Sequence, residues 1–320
     1  MRDTILFGDC RETLKEFDEQ ARTCITSPPY YGLRDYGGED NQIGQEQTPD
    51  EFIDQLVNVF KEVRNVLTDD GTLWVNLGDS YYNYRPGKGQ SYPKQTVSKT
   101  KQDLPDKCAK RANKLEGLKE KDLIGIPWMF AFAMRNDGWY LRQDIIWHKP
   151  NPMPESVRDR CTKSHEYIFL FSKNKKYYYN NEAIKEPAKD WGTRDRTNGK
   201  YHNTGTGLQP HSGLSKSYPT KNKRSVWSVT VKPYKEAHFA TYPPDLIEPC
   251  IKAGSEEGDT ILDPFMGAGT TAAVAKSLNR YYIGCELNED YGNLIQKRIQ
   301  DYHPVQEVSQ EPCINILDII

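Results

Sequence analysis

Apolar positions along the chain fall into two rhythms that take turns. Thr4–Phe7 and Thr23–Thr26 are short apolar runs of strand length. Between them Asp9 stands where it can cap a helix over Cys10–Phe17, and Glu12, three residues on, completes a capping box. From Pro49 to Leu67 the residues Phe52, Ile53, Leu56, Val57, Phe60, Val63 and Leu67 recur at helical spacing and predict a long amphipathic helix. Asp69-Asp70-Gly71 ends it, and Thr72–Leu77 predicts an apolar strand. Pro127 opens a further helix to about Asn136, closed by Asp137-Gly138. Tyr140–Trp147 and Tyr167–Phe171 are strand-like. Beyond them the pattern predicts helix over Pro243–Ala253, strand over Thr260–Leu262, helix over Thr270–Leu278, strand over Tyr281–Cys285 and helix over Glu289–Tyr302. Alternating strand and helix imply an α/β fold with a mostly parallel sheet covered on both faces.

Two stretches break the rhythm. Residues 82–122 lose periodicity and read as a long inserted loop, and residues 173–236 are polar and rich in Gly, Asn, Lys and Tyr. The first carries eleven Lys or Arg against five acids, the second fourteen against five, although the whole chain of 320 residues has a net charge of −2. An acidic body with two basic insertions suits a polyanion held at one face; solvated loops would give the same balance. Lys173, Lys175, Lys176, Lys221, Lys223 and Arg224 are the candidate contacts. The seven cysteines form no C-x-x-C pair and are odd in number, which argues against zinc or a disulfide framework and for a reducing cytoplasm. No apolar run spans a bilayer, and the N-terminus turns polar again at Gly8-Asp9, unlike a signal peptide. The tail, residues 304–320, holds Ile314, Ile316, Leu317, Ile319 and Ile320, which could pack somewhere.

Candidate chemistry begins at Thr26-Ser27-Pro28-Pro29-Tyr30, directly after an apolar strand. Two prolines stop the strand and stiffen the backbone. A hydroxyl, a rigid carbonyl and an aromatic ring at a strand's carboxyl end make a base-sized socket, at the edge where open α/β sheets bind ligands. The second signal is Asp263-Pro264-Phe265-Met266-Gly267-Ala268-Gly269-Thr270-Thr271, between a predicted strand and helix. Gly267 and Gly269 allow a tight turn and close approach to a ligand, and the helix beginning at Thr270 offers oriented N–H groups. No Lys follows to serve a phosphate loop, and the third glycine of a dinucleotide fingerprint is missing. Glu286, after the next strand, can accept hydrogen bonds from two ribose hydroxyls; a helix-capping acid is the plainer alternative.

Together these residues resemble the bacterial amino-methyltransferases of DNA, in particular the permuted class called β, where the catalytic tetrapeptide precedes the cofactor loop. Gly8-Asp9 resembles the family's acidic motif, and Asn76-Leu77-Gly78-Asp79-Ser80 the motif after the next strand. The stretches Ile145–Pro152 and Ser164–Phe169 resemble the strands walling the base pocket, and His238–Pro243 the motif over the methionine end of the cofactor. The resemblance implies a Rossmann-like sheet of seven strands with helices on both faces. It implies S-adenosylmethionine as cofactor, held by Asp9, Thr241, Pro243, Asp263, Phe265, Gly267, Gly269, Thr270 and Glu286, and no metal. Residues 1–172 and 237–303 together would form the catalytic domain, with 173–236 as the target-recognition region. Double-stranded DNA, a cognate restriction endonuclease and a second copy of the chain are the partners it suggests.

On this resemblance Ser27, Pro28, Pro29 and Tyr30 carry the reaction. The Ser27 hydroxyl and Pro28 carbonyl would accept the two amino hydrogens of a flipped base, and Tyr30, with or without Tyr31, would stack on it. Serine in the first position resembles the enzymes acting on the 4-amino group of cytosine; the 6-amino group of adenine is the alternative. His148 and His165 read as hydrogen-bonded strand-edge residues and Cys24 as core. Tyr177-Tyr178-Tyr179 reads as a strand of the recognition region. A silent DNA-binding protein of the same fold and an RNA or protein methyltransferase remain as readings of another class.

Overall fold

Strands form where the apolar runs lie. β1 (Thr4–Phe7) and β2 (Ala21–Thr26) flank a short helix, α1 (Cys10–Thr13), and a 3-10 turn over Leu14–Glu16. α2 (Pro49–Val66) leads directly into β3 (Leu67–Leu77), and α3 (Ile126–Asn136) into β4 (Tyr140–His148), which a loop joins to β5 (His165–Ser172). β6 (Glu186–Pro187) and β7 (Thr220–Lys221) pair as a small ribbon, and β8 (Val226–Ser228) is a three-residue strand. α4 (Pro244–Gly254), β9 (Thr260–Asp263), α5 (Thr270–Ser277), β10 (Tyr281–Glu286) and α6 (Tyr291–Asp301) complete the order. The computed structural model describes residues 1–32, 42–82, 115, 117–188, 219–231 and 242–302.

Eight strands form one sheet in the order β1-β10-β9-β2-β3-β5-β4-β8. β5 runs against β3 and β4, and the other pairings are parallel. Seven of the eight are the strands that the hydrophobic pattern predicts. The eighth, β8, comes from the polar stretch 173–236 and joins the edge of β4 with Trp227 buried. That stretch is tied to the sheet near its start as well, through Tyr179 stacked on Trp74 and Ile184 in the core.

Side chains alternate between the faces as strand geometry requires. Cys24, Leu73, Val75, Phe169, Phe171, Leu262 and Ile283 point to the layer containing α2 and α3. Ile25, Trp74, Ile168, Leu170, Ile261 and Tyr282 point to the layer of α4, α5 and α6. β9 connects through α5 to β10 on one side, while β2 connects through α2 to β3 on the other. The strand order therefore reverses between β9 and β2, and the crevice at their carboxyl ends is the ligand position of an open α/β sheet.

Three local expectations are corrected. The Cys10–Phe17 helix is α1 plus a 3-10 turn, and Asp9 caps it through the Arg11 N–H at 2.9 Å. Glu12 closes no capping box there, because its carboxylate pairs with Lys15. Asp69-Asp70-Gly71 does not end α2 but lies within β3. The register against β2 jumps from Ala21↔Leu67 to Thr23↔Thr72, so β3 absorbs extra residues as a bulge. Distant groups hold it: Arg22 pairs with Asp70, and Lys173 Nζ donates to the Leu67 carbonyl at 2.8 Å. Finally, Tyr177–Tyr179 is no strand; its backbone and rings pack on Asp70, Arg142, Arg22 and Trp74.

Candidate active site

The crevice is organised by one carboxylate. Asp263, the last residue of β9, is fully buried and accepts four hydrogen bonds. Oδ1 takes the Thr26 hydroxyl at 2.6 Å and the Phe265 N–H at 3.0 Å; Oδ2 takes the Thr271 hydroxyl at 2.5 Å and the Tyr242 hydroxyl at 3.0 Å. Thr26 ends β2, Thr271 opens α5 and Tyr242 precedes α4, so this single group ties three elements to the loop after β9. Burial pushes the Asp263 carboxyl above its usual range, and the four donors counter that rise. Fully buried, Asp263 shapes the loop after β9 through these four bonds.

The two glycines of the loop divide the work. Gly269 has φ +80°, and a Cβ there would lie 2.8 Å from Ile295 Cγ2, so this glycine lets α5 pack on α6. Gly267 has φ +53°, and the only atom within 4 Å of a Cβ there, among the described residues, is the Phe265 carbonyl oxygen at 3.9 Å. Its N–H donates to Glu286 Oε2 at 2.7 Å. Glu286 Oε1 takes the Asn288 N–H at 3.0 Å. Each carboxylate oxygen keeps a lone pair for a further donor. Burial raises the Glu286 pKa from its ordinary value. Beside it, at the end of β1, Asp9 accepts from Arg11 through both oxygens, and those bonds outweigh burial and hold its pKa down. Phe265 is half-buried, while Pro243 and Thr270 are buried, at the starts of α4 and α5. Thr241, with the rest of His238–Thr241, lies outside the described residues.

Ser27–Tyr30 leaves β2 at the same edge. Pro28 is buried, and Ser27, Pro29 and Tyr30 are half-buried. Ser27 Oγ stands 3.4 Å from Asn76 Oδ1, a long and weak donor contact. The Tyr30 hydroxyl donates to Glu166 Oε2 at 2.8 Å, and its ring lies on Gly78, where a Cβ would come within 2.7 Å of Cε2. Glycine at 78 is therefore required by the ring. Asp79 accepts from the N–H groups of Gly125 and Ile126 at 3.0 and 3.2 Å, supplying the cap that Gly125 lacks at the start of α3. Tyr31 instead packs on Phe52 and donates to the Gln47 carbonyl. Cys24 is fully buried and its thiol is pushed well up by burial, so it is no activated thiolate beside the tetrapeptide.

A sequence profile of the family described as DNA methylase, the N6/N4 methyltransferases, matches residues 21–297. The chain belongs to the DNA methylase family. Among curated relatives it is 46% identical to the type II methyltransferase M.SmaI of Serratia marcescens, over 92% of this chain and 90% of that one. It is 45% identical to M.Cfr9I of Citrobacter freundii, over 93% and 87%. Among solved structures, the methylase matches the PvuII DNA methyltransferase (cytosine-N4-specific) with a TM-score of 0.61 at 18% identity, covering 95% and 88% of the two chains. It matches M1.HpyAVI with a TM-score of 0.52 at 17% identity, over 93% and 99%. These last two establish a shared fold.

The methylase brings together Asp9, Asp263, Gly267, Glu286 and Ser27–Tyr30 along one edge of its sheet. It does not bring Lys173, Lys175 and Lys176 there. They follow β5, whose end pairs with the starts of β3 and β4 at the opposite edge, and Lys173 is spent on the Leu67 carbonyl. Lys221 sits in β7, and Lys223 and Arg224 face Glu186. His148 pairs with Ser228 at 3.0 Å at the end of its strand. Thr26, Thr271, Tyr242, Asn76, Lys149 and Glu166 acquire roles that the sequence did not announce. All lie inside motif stretches, yet their partnerships depend on strand register. Among the described residues no cluster of metal ligands forms, and no helix is long and apolar enough to cross a membrane.

Proposed function

We propose that this methylase transfers a methyl group from S-adenosylmethionine to the exocyclic 4-amino group of cytosine in a short duplex sequence. Ser27 is the observation that carries this reading: a neutral hydroxyl at the head of the tetrapeptide, placed so that its own proton turns toward Asn76 Oδ1. Its lone pairs are then free to accept. An aromatic amino nitrogen is a poor nucleophile because its lone pair is delocalised into the ring. Ser27 Oγ and the Pro28 carbonyl accept the two amino hydrogens and draw that nitrogen toward a tetrahedral shape. Tyr30 stacks on the base, which leaves the duplex to enter the socket. Alignment by these groups, rather than an enzyme nucleophile, supplies the rate.

The cofactor contributes an electrophilic sulfonium methyl. The residues fit it: Gly267 leaves open space beside the loop, and Glu286 has acceptor capacity for a ribose diol. Asp9 offers a carboxylate held ionised by Arg11. The two relatives named above are type II methyltransferases, which supports pairing with an endonuclease of the same specificity.

Mass spectrometry of nucleosides from DNA incubated with the protein and S-adenosylmethionine tests the reading. 4-Methylcytosine is the expected product. 6-Methyladenine would keep the site and overturn the role of Ser27 in choosing the base. Neither product, on DNA of diverse sequence, would overturn methyl transfer to DNA.

A further inference from the structure

Behind Ser27 and Tyr30 lies a polar group that the tetrapeptide does not explain. Glu166, near the start of β5, has a side chain 14% exposed, and Lys149, just after β4, has one 19% exposed. Lys149 Nζ holds Glu166 Oε1 and stands 4.2 Å over the Trp147 ring. Oε2 takes the Tyr30 hydroxyl at 2.8 Å and Asn76 Nδ2 at 3.3 Å. A largely buried ion pair seldom adds net stability. The remaining bonds of this one lead to the catalytic tetrapeptide and its neighbour.

Proton counting shows what those bonds do. A phenol has one proton. Between a carboxylate oxygen at 2.8 Å and the Asn76 amide oxygen at 3.2 Å, it goes to the carboxylate. Asn76 Nδ2 spends its protons on the Tyr167 carbonyl at 3.1 Å and on Glu166, which fixes the amide orientation. Asn76 Oδ1 is thereby turned to Ser27 and kept as the acceptor for the Ser27 proton.

We infer that Glu166, held by Lys149, is a positioning residue for methyl transfer. It fixes the ring of Tyr30 and the amide of Asn76, and through Asn76 it directs the Ser27 proton away from the base. The inference rests on the reading of Ser27–Tyr30 as the transfer site. Without the carboxylate, the Tyr30 proton turns to Asn76 Oδ1 and competes with Ser27 for it. The Ser27 proton is then free to point at the base, where an acceptor is needed.

The test compares wild type, Glu166→Gln, Tyr30→Phe and the double variant as full-length proteins. Tritium transfer from labelled S-adenosylmethionine to genomic DNA lacking methylated amino groups gives kcat and KM, and calorimetry gives cofactor affinity. Glu166→Gln is expected to lower kcat about 30-fold, with KM for DNA and cofactor affinity each within about threefold of wild type. The double variant is expected to be no slower than the slower single, because both changes remove the Tyr30–Glu166 hydrogen bond. If Glu166→Gln does not fold, Glu166→Gln with Lys149→Met removes the unpaired ammonium and carries the same expectation. A kcat within twofold of wild type, losses that multiply in the double variant, or cofactor affinity falling as far as kcat would each overturn the inference. Absence of transfer by wild type would instead overturn the site reading on which it rests.

Discussion

Asp263 and Glu166 anchor two polar clusters on the same edge of the sheet, and they are held on different terms. Asp263 is fully buried and is met by three hydroxyls and one N–H, with no opposite charge among the described residues that meet it. Glu166 lies at a partly open rim and is met by an ammonium. The first arrangement joins β2, β9, α5 and the start of α4 into a fixed floor. The second lies behind Ser27 and Tyr30, where the proposed function places the target base. A floor tolerates a fully desolvated carboxylate because its donors do not move.

The largest effect expected from this contrast is on folding. Asp263→Ala leaves the Thr26 hydroxyl and the Phe265 N–H without this acceptor and the Thr271 and Tyr242 hydroxyls with only each other and the Ile25 carbonyl, and should destabilise the protein by about 3 kcal/mol. Denaturant unfolding measures it; wild-type stability would show that the floor does not depend on this group. Ser27→Ala comes next. It should slow turnover about 100-fold while calorimetry finds cofactor affinity close to wild type. A matching loss of affinity would merge the two clusters into one functional unit. Gly78→Ala forces the Tyr30 ring off its seat and should slow turnover about tenfold, with unfolding midpoint little changed. Unaltered turnover would show that the ring's seat does not matter.

The smallest effect separates the cofactor side by pH. Burial raises the Glu286 pKa, so Glu286 begins to take up a proton while the solution is still above the ordinary glutamate range. A protonated Glu286 loses charge and acceptor capacity. Cofactor affinity should therefore fall as pH drops through that raised pKa, by at most about tenfold per pH unit. Glu286→Gln should flatten the dependence. A variant with the same pH profile as wild type would assign the titration to another group.

Much of this was legible in the chain. The helical spacing from Phe52 to Val63 and the apolar runs ending at Phe7, Thr26, Leu77, Leu262 and Cys285 point to α2 and the parallel strands, because burial of one helix stripe leaves a periodic trace and burial of both strand faces a continuous apolar run. Ser27–Tyr30 and the loop with Gly267 and Gly269 are contiguous strings whose chemistry is local. The bulge at Asp69-Asp70-Gly71, the opposite-edge position of Lys173–Lys176, the packing role of Gly269, and the pairing of Lys149 with Glu166 were not legible. Each depends on which strands are neighbours and in what register. His148 faces His165 across β4 and β5, and that register places Lys149 beside Glu166, although 17 positions separate them. Local composition determined the elements and the reacting groups. The order of the strands, a property of the whole sheet, decided which groups meet, because hydrogen bonds and ion pairs act over a few ångströms in space and carry no record in the sequence.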